Sequence, residues 1–199
     1  MQLVQRFLPL FLAVVALSTL SSCKTLQEIA SLRDVRFAID RVANAELAGV
    51  NLSRVRSYED LSPTDVLRLG RAAANQTAPL AFTLHLSAEN PPSNTVTARM
   101  VQMDWTLLLE DRETVSGTFN DNIALAPGEP TDVPISIQLD LVEFFGNNLR
   151  DLVELALAVS GEGGEAKQVK LQAIPTIETP LGPIRYPQPI TIVNRELGS

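Results

Sequence analysis

The chain has 199 residues, 45% of them apolar and 20% charged, with 23 acidic against 16 basic side chains and a formal net charge of −7. That length suits one domain with an ordinary hydrophobic core and accommodates two only with difficulty. The acidic balance disfavours nucleic acid and anionic headgroups as direct partners, and a single cysteine excludes an intramolecular disulfide.

Residues 1–22 carry one charge, Arg6, followed by an uncharged apolar stretch from Phe7 to Leu17 and then by Leu20-Ser21-Ser22-Cys23. This is the layout of a secretory signal, too short and too one-sided to be a spanning helix. Small residues at 21 and 22, with Leu20 three positions before the lone cysteine, resemble the lipobox of a bacterial lipoprotein signal peptide. The resemblance implies that Leu20, Ser21 and Ser22 are read by the peptidase and that residues 1–22 are removed. Cys23 then becomes an acylated N-terminus whose acyl chains hold the protein on the membrane. Each buried methylene contributes about 0.8 kcal/mol, so two or three chains anchor stably. Position 24 is Lys, not the aspartate that retains lipoproteins at the inner membrane in Gram-negative sorting, so the expected location is the bacterial cell envelope at the outer membrane. A merely buried or reactive thiol would require all three parts of the signal to coincide by accident.

Residues 23–34 are expected to form a tether, 35–194 a single domain and 195–199 a tail. Val35 to Val42 alternates as a strand, and Asn44 to Asp60 is compatible with extended chain broken at Gly49. Ser62-Pro63-Thr64-Asp65 provides a cap, a first-turn proline and an acid three residues on, which predicts a short inserted helix over about 63–74. Pro79 to Ala88 places Leu80, Phe82, Leu84, Leu86 and Ala88 on one face. Val101, Met103, Trp105, Leu107 and Leu109 repeat that pattern. Glu110 to Glu113 is a polar turn, Thr114 to Asn120 the returning arm of a hairpin, and Ala126 to Pro130 another turn. The cleanest alternation follows: Val133, Ile135, Ile137, Leu139 and Leu141.

Leu141 to Ala158 is expected as one amphipathic helix with Phe144, Phe145, Leu149, Leu152, Leu155 and Ala156 along a stripe. Lys167 to Ile177 and Ile184 to Val193 read as closing strands, the last limited to an edge by Pro187 and Pro189. Strict period-two alternation gives each strand one wet and one buried face. The fold class expected is therefore mainly β, an antiparallel sandwich with one amphipathic and one short inserted helix.

The middle of the chain carries an ordered set of features. Leu84 to Ser87 runs into Asn90-Pro91, and a strand with an aromatic, Met103 to Leu109 around Trp105, comes next. Its hairpin partner holds Gly117, and Pro127-Gly128 precedes a strand containing Pro134. This order is similar to the late embryogenesis abundant group-2 domain, also called the water stress and hypersensitive response domain, over roughly residues 35–180. The resemblance implies an immunoglobulin- or fibronectin-like β-sandwich and an association with desiccation and stress tolerance. It brings no catalytic residues, and Asn90, Pro91, Trp105, Gly117, Pro127, Gly128 and Pro134 are expected to be structural. Pro92, doubling the proline, and the inserted helix depart from the pattern.

Candidate chemistry is sparse. His85 is the sole histidine, with Thr83 and Ser87 on its face and no acid to orient it, so it reads as a surface residue. Glu110, Asp111 and Glu113 lack the regular oxygen spacing around a glycine that calcium needs, and no metal or other cofactor is expected. Gly161 to Gly164 follows a helix instead of opening one, which excludes a phosphate loop. No enzyme is expected. Two functions remain: a tethered structural, protective or interaction module whose partner is a protein or an envelope polymer, and a carrier of an apolar ligand such as a lipid acyl chain. The carrier would use Trp105, Phe144, Phe145, Leu149 and Leu152 as contacts.

Overall fold

Alternating side chains need two surfaces to close on, and the computed structural model supplies them as two antiparallel sheets. It describes residues 35–146, 148–163, 169–178 and 182–193; the signal, tether and tail, and the side chain of Phe145, lie outside the described part. The strands are β1 (Arg36–Leu47), β2 (Val50–Asn51), β3 (Pro79–Glu89), β4 (Ala98–Leu109), β5 (Arg112–Phe119), β6 (Ile123–Leu125), β7 (Pro130–Asp140), β8 (Val169–Glu178), β9 (Ile184–Arg185) and β10 (Ile190–Val193). Helices are α1 (Pro63–Ala74), α2 (Leu141–Phe145) and α3 (Leu149–Ser160).

One sheet has the order β2-β1-β3-β7 and the other β10-β8-β4-β5, with β6 added to β4 and β9 to β8. The architecture is the mainly β antiparallel sandwich that the alternation requires. Leu80, Phe82, Leu84, Leu86 and Ala88 of β3 and Val133, Ile135, Ile137 and Leu139 of β7 are all buried. Met103, Trp105 and Leu107 of β4, with Leu171 and Ala173 of β8, close the core from the other sheet.

Four expectations are corrected in detail. β1 runs on to Leu47, and a turn at Ala48-Gly49 folds β2 back onto it, with both turn residues at positive φ (46° and 76°). β4 starts at Ala98, and a bulge between Met100 and Gln102 throws Val101 off the core face, so Ala98 and Met100 are buried in its place. One inserted residue reverses the alternation, which period counting cannot anticipate. The closing strand is two short ones, β9 and β10, both on the β8 edge and separated by Tyr186-Pro187-Gln188-Pro189.

The fourth correction concerns the long helix. It breaks at Gly146, whose φ of 81° and ψ of −170° lie in a region open essentially to glycine alone. Asn148 then caps α3, its side-chain oxygen accepting from the N–H groups of Arg150 and Asp151. Only the start of α3 is amphipathic. From Leu155 to Ser160 every residue is buried, because this half enters the core against β1. Its first turn is held from outside by Arg150, which donates to Glu59 at 2.6 Å and lies 4.8 Å over the Tyr58 ring.

The inserted helix α1 falls where the cap predicts. The Ser62 hydroxyl accepts from the Asp65 N–H at 3.2 Å and donates to its carboxylate at 2.6 Å, with Pro63 in the first turn. Leu69 and Ala73 fasten it to the body.

Candidate functional site

Asn90 is fully buried at the end of β3 and acts as a polar knot. Its amide donates to the carbonyls of Val96 (3.0 Å) and Leu125 (2.9 Å), while its side-chain oxygen accepts from the Asn94 amide at 2.6 Å. Its backbone carbonyl accepts from Gly128 N–H at 2.7 Å, and it forms a bridge to Pro127. A buried amide with both donors and its acceptor occupied is a stabilising network, and half-satisfied it would be a liability. Pro91 is buried beside it. Gly128 has φ 78°, and a β-carbon there would stand 3.3 Å from that of Pro92, so the second proline packs on the glycine. Four residues named from sequence, Asn90, Pro91, Pro127 and Gly128, thus meet at one end of the sandwich. Asn94, which completes the knot, sat in a loop and carried no pattern to reveal it.

Trp105 and Gly117 face each other across the β4–β5 pair. The indole covers the glycine so closely that a β-carbon at 117 would lie 2.5 Å from its Cζ2 atom. Trp105 is 8% exposed and Leu152 1%, both packed in the core. Phe144 and Leu149 are half-buried. The side chain of Phe145 lies outside the described residues, as do Leu20, Ser21, Ser22 and Cys23. Pro134 is exposed on β7, an edge strand where the missing N–H does no harm.

His85 has polar company that its own strand does not reveal. Its Nδ1 atom lies 2.9 Å from both carboxylate oxygens of Asp132 on β7 and 3.0 Å from the Arg41 guanidinium on β1. Asp40 joins through Arg41 at 2.5 Å. The expectation that no acid orients this histidine is therefore overturned: the acid comes from the neighbouring strand, where register alone decides who sits opposite. No hydrogen bond joins Ser87 to the ring among the described residues.

The outer face of the second sheet is built differently. Asp104, Trp105, Thr106, Ser116, Gly117, Thr118, Gln172, Ile174 and Pro189 line a trough of about 490 Å³. Thr106 and Ser116 share a hydrogen bond of 2.8 Å across the strand pair. Asp104 accepts from Arg185, from Thr118 at 2.8 Å and from Gln102 at 3.1 Å. Those donors, Arg185 first, hold its carboxyl below the usual carboxylate range. A separate groove of about 590 Å³ opens where β1 meets β10, lined by Val35, Phe37, Ile39, Ile190 and Ile192 with Arg36, Glu89 and other polar residues among them. Among the described residues no group of three or more metal-ligating side chains gathers, and no helix is long and apolar enough to cross a membrane.

No family model matches the chain, and no curated protein matches it. Solved structures similar to it include that of a candidate late embryogenesis abundant (LEA) protein, at 15% identity over 92% of this chain and 82% of that one, TM-score 0.40. An Arabidopsis thaliana protein matches at 20% identity over 63% and 74%, TM-score 0.41. A protein from Archaeoglobus fulgidus matches at 15% over 59% and 87%, TM-score 0.32. At these identities and scores the sandwich rests on the strand register itself, and the neighbours include one described as LEA-like.

Proposed function

We propose that this chain is a non-enzymatic envelope lipoprotein: a LEA-like β-sandwich held on the outer membrane by acyl chains on Cys23, serving as a structural, protective or interaction module. The observation that carries the reading is the ordered signal, a charged start, an apolar stretch and Leu20-Ser21-Ser22-Cys23 before the domain that opens at Val35. The body supports it in kind. The residues singled out from Asn90 to Gly128 knot loops and pack strands, and Trp105 is spent on covering Gly117. The test is membrane fractionation and acyl labelling of the full chain against Cys23→Ser. Labelled protein in the membrane fraction, lost in the variant, is the expected result. Equal fractionation of the two chains would sink the tether.

The second reading, carriage of an apolar ligand, draws on the groove between β1 and β10, whose size lies in the range of small-molecule sites, roughly 300–1,000 Å³. Native mass spectrometry of the gently purified Cys23→Ser protein separates the readings. A reproducible added mass released as lipid favours the carrier, and a bare mass after incubation with fatty acids and phospholipids favours the module.

A further inference from the structure

The two outer sheet faces offer different chemistry. On the β1-β3-β7 face, Arg36–Glu89 and Arg41–Asp40 are ion pairs, and His85 Nδ1 is within hydrogen-bond distance of Asp132 and Arg41. On the β8-β4-β5 face the trough is lined by short hydroxyl and amide side chains: Thr106, Ser116, Thr118 and Gln172. Its one carboxylate, Asp104, is neutralised by Arg185. Ile174 and Pro189 form an apolar wall on the β8 and β10 side.

We propose that this trough binds a neutral glycan chain. The proposal rests on the reading of the protein as a tethered interaction module and names the class of its partner. A sugar ring presents vicinal hydroxyls, each both donor and acceptor, around a weakly apolar C–H face. The Thr106–Ser116 pair uses one proton between two hydroxyls, which leaves one O–H donor and further lone pairs of the pair to serve a ligand. Asp104 is fixed by three donors, so its remaining lone pairs are set in place before a ligand arrives. Gln172 offers a planar amide with both a donor and an acceptor. Ile174 and Pro189 are placed to meet the C–H face. A charged polymer gains little here, since the only charges in reach already neutralise each other. The trough lies on the β4–β5 strand pair, where the Trp105 indole packs closely on Gly117.

The experiment is saturation-transfer-difference NMR of the full acylated chain in detergent micelles with chitotetraose, cellotetraose and maltotetraose. Binding with a dissociation constant on the order of 1 mM is expected for at least one of them. Gln172→Ala combined with Thr106→Val should weaken it by about fivefold or more, as loss of one or two hydrogen bonds predicts. Ser87→Ala on the opposite sheet should leave it unchanged, and circular dichroism checks that each variant folds. Absence of transfer to all three sugars overturns the proposal, and so does transfer that the trough variants leave intact. A blank with Cys23-dependent fractionation preserved removes the glycan and spares the tether, whereas the opposite pair of results does the reverse.

Discussion

At the scale of single residues, the most consequential side chain is one that period counting ignores. Asn90 serves one buried carbonyl, one part-buried carbonyl and one buried amide at once. Asn90→Ala strands all three, and with an unsatisfied buried group costing about 1–3 kcal/mol, a loss of roughly 3 kcal/mol or more is expected in urea unfolding. A change below about 1 kcal/mol would show that water takes over the role. Asp104 makes a pH-dependent contribution. Its folded pKa lies below the ordinary 3.8, so its stabilisation is fully present above that value and is lost as pH falls through it toward the folded pKa. Asp104→Asn should therefore lower the melting temperature by a constant amount at neutral pH, with the gap to wild type closing below about pH 4. A gap that persists unchanged at acid pH would assign the effect to packing.

At the scale of elements, local signals succeed where they act on neighbours in sequence. The cap of α1 is written in Ser62-Pro63-Thr64-Asp65 and forms as read. The break between α2 and α3 is also local, yet it hid inside a helical hydrophobic stripe, because a glycine within such a stripe is compatible with either outcome. Gly146→Ala tests what the break requires. Nothing stands within 4 Å of the site, so crowding plays no part and only the backbone conformation is penalised. Thermal unfolding should show a loss of about 1–3 kcal/mol. A neutral result would mean that the turn adopts another conformation at little cost. The β4–β5 hairpin is a related case. Glu110 and Asp111 both take positive φ (51° and 63°), as the mirror-image turn of a two-residue hairpin demands. Glu110→Asn, a residue that tolerates this region better, should raise stability by about 0.5–1 kcal/mol in the same assay.

At the scale of the whole molecule, a chain with one cysteine has no intramolecular disulfide, and its stability comes from the packing of the sandwich. Both sheets and the buried half of α3 supply one continuous apolar core. Ion pairs lie outside that core on both sheets, Arg36–Glu89 and Arg41–Asp40 on the first and Lys170–Asp111 and Arg185–Asp104 on the second, which also carries the hydroxyl-lined trough. On the proposed tether, Cys23→Ser should move the protein to the soluble fraction on membrane fractionation, and an unchanged membrane share would count against it.

The sequence by itself determined the fold class, the faces of β3 and β7, the start of α1 and the expected anchor. Each of these depends on spacing along the chain, and spacing is visible in one dimension. Only the tertiary structure decided that Asn90 meets Asn94, Leu125 and Gly128, that Asp132 and Arg41 flank His85, and that Thr106, Ser116 and Gln172 share a trough. Those meetings depend on strand order and register. Strand order is set by which apolar faces bury one another across the whole core, and a single bulge such as the one at Val101 shifts every neighbour beyond it.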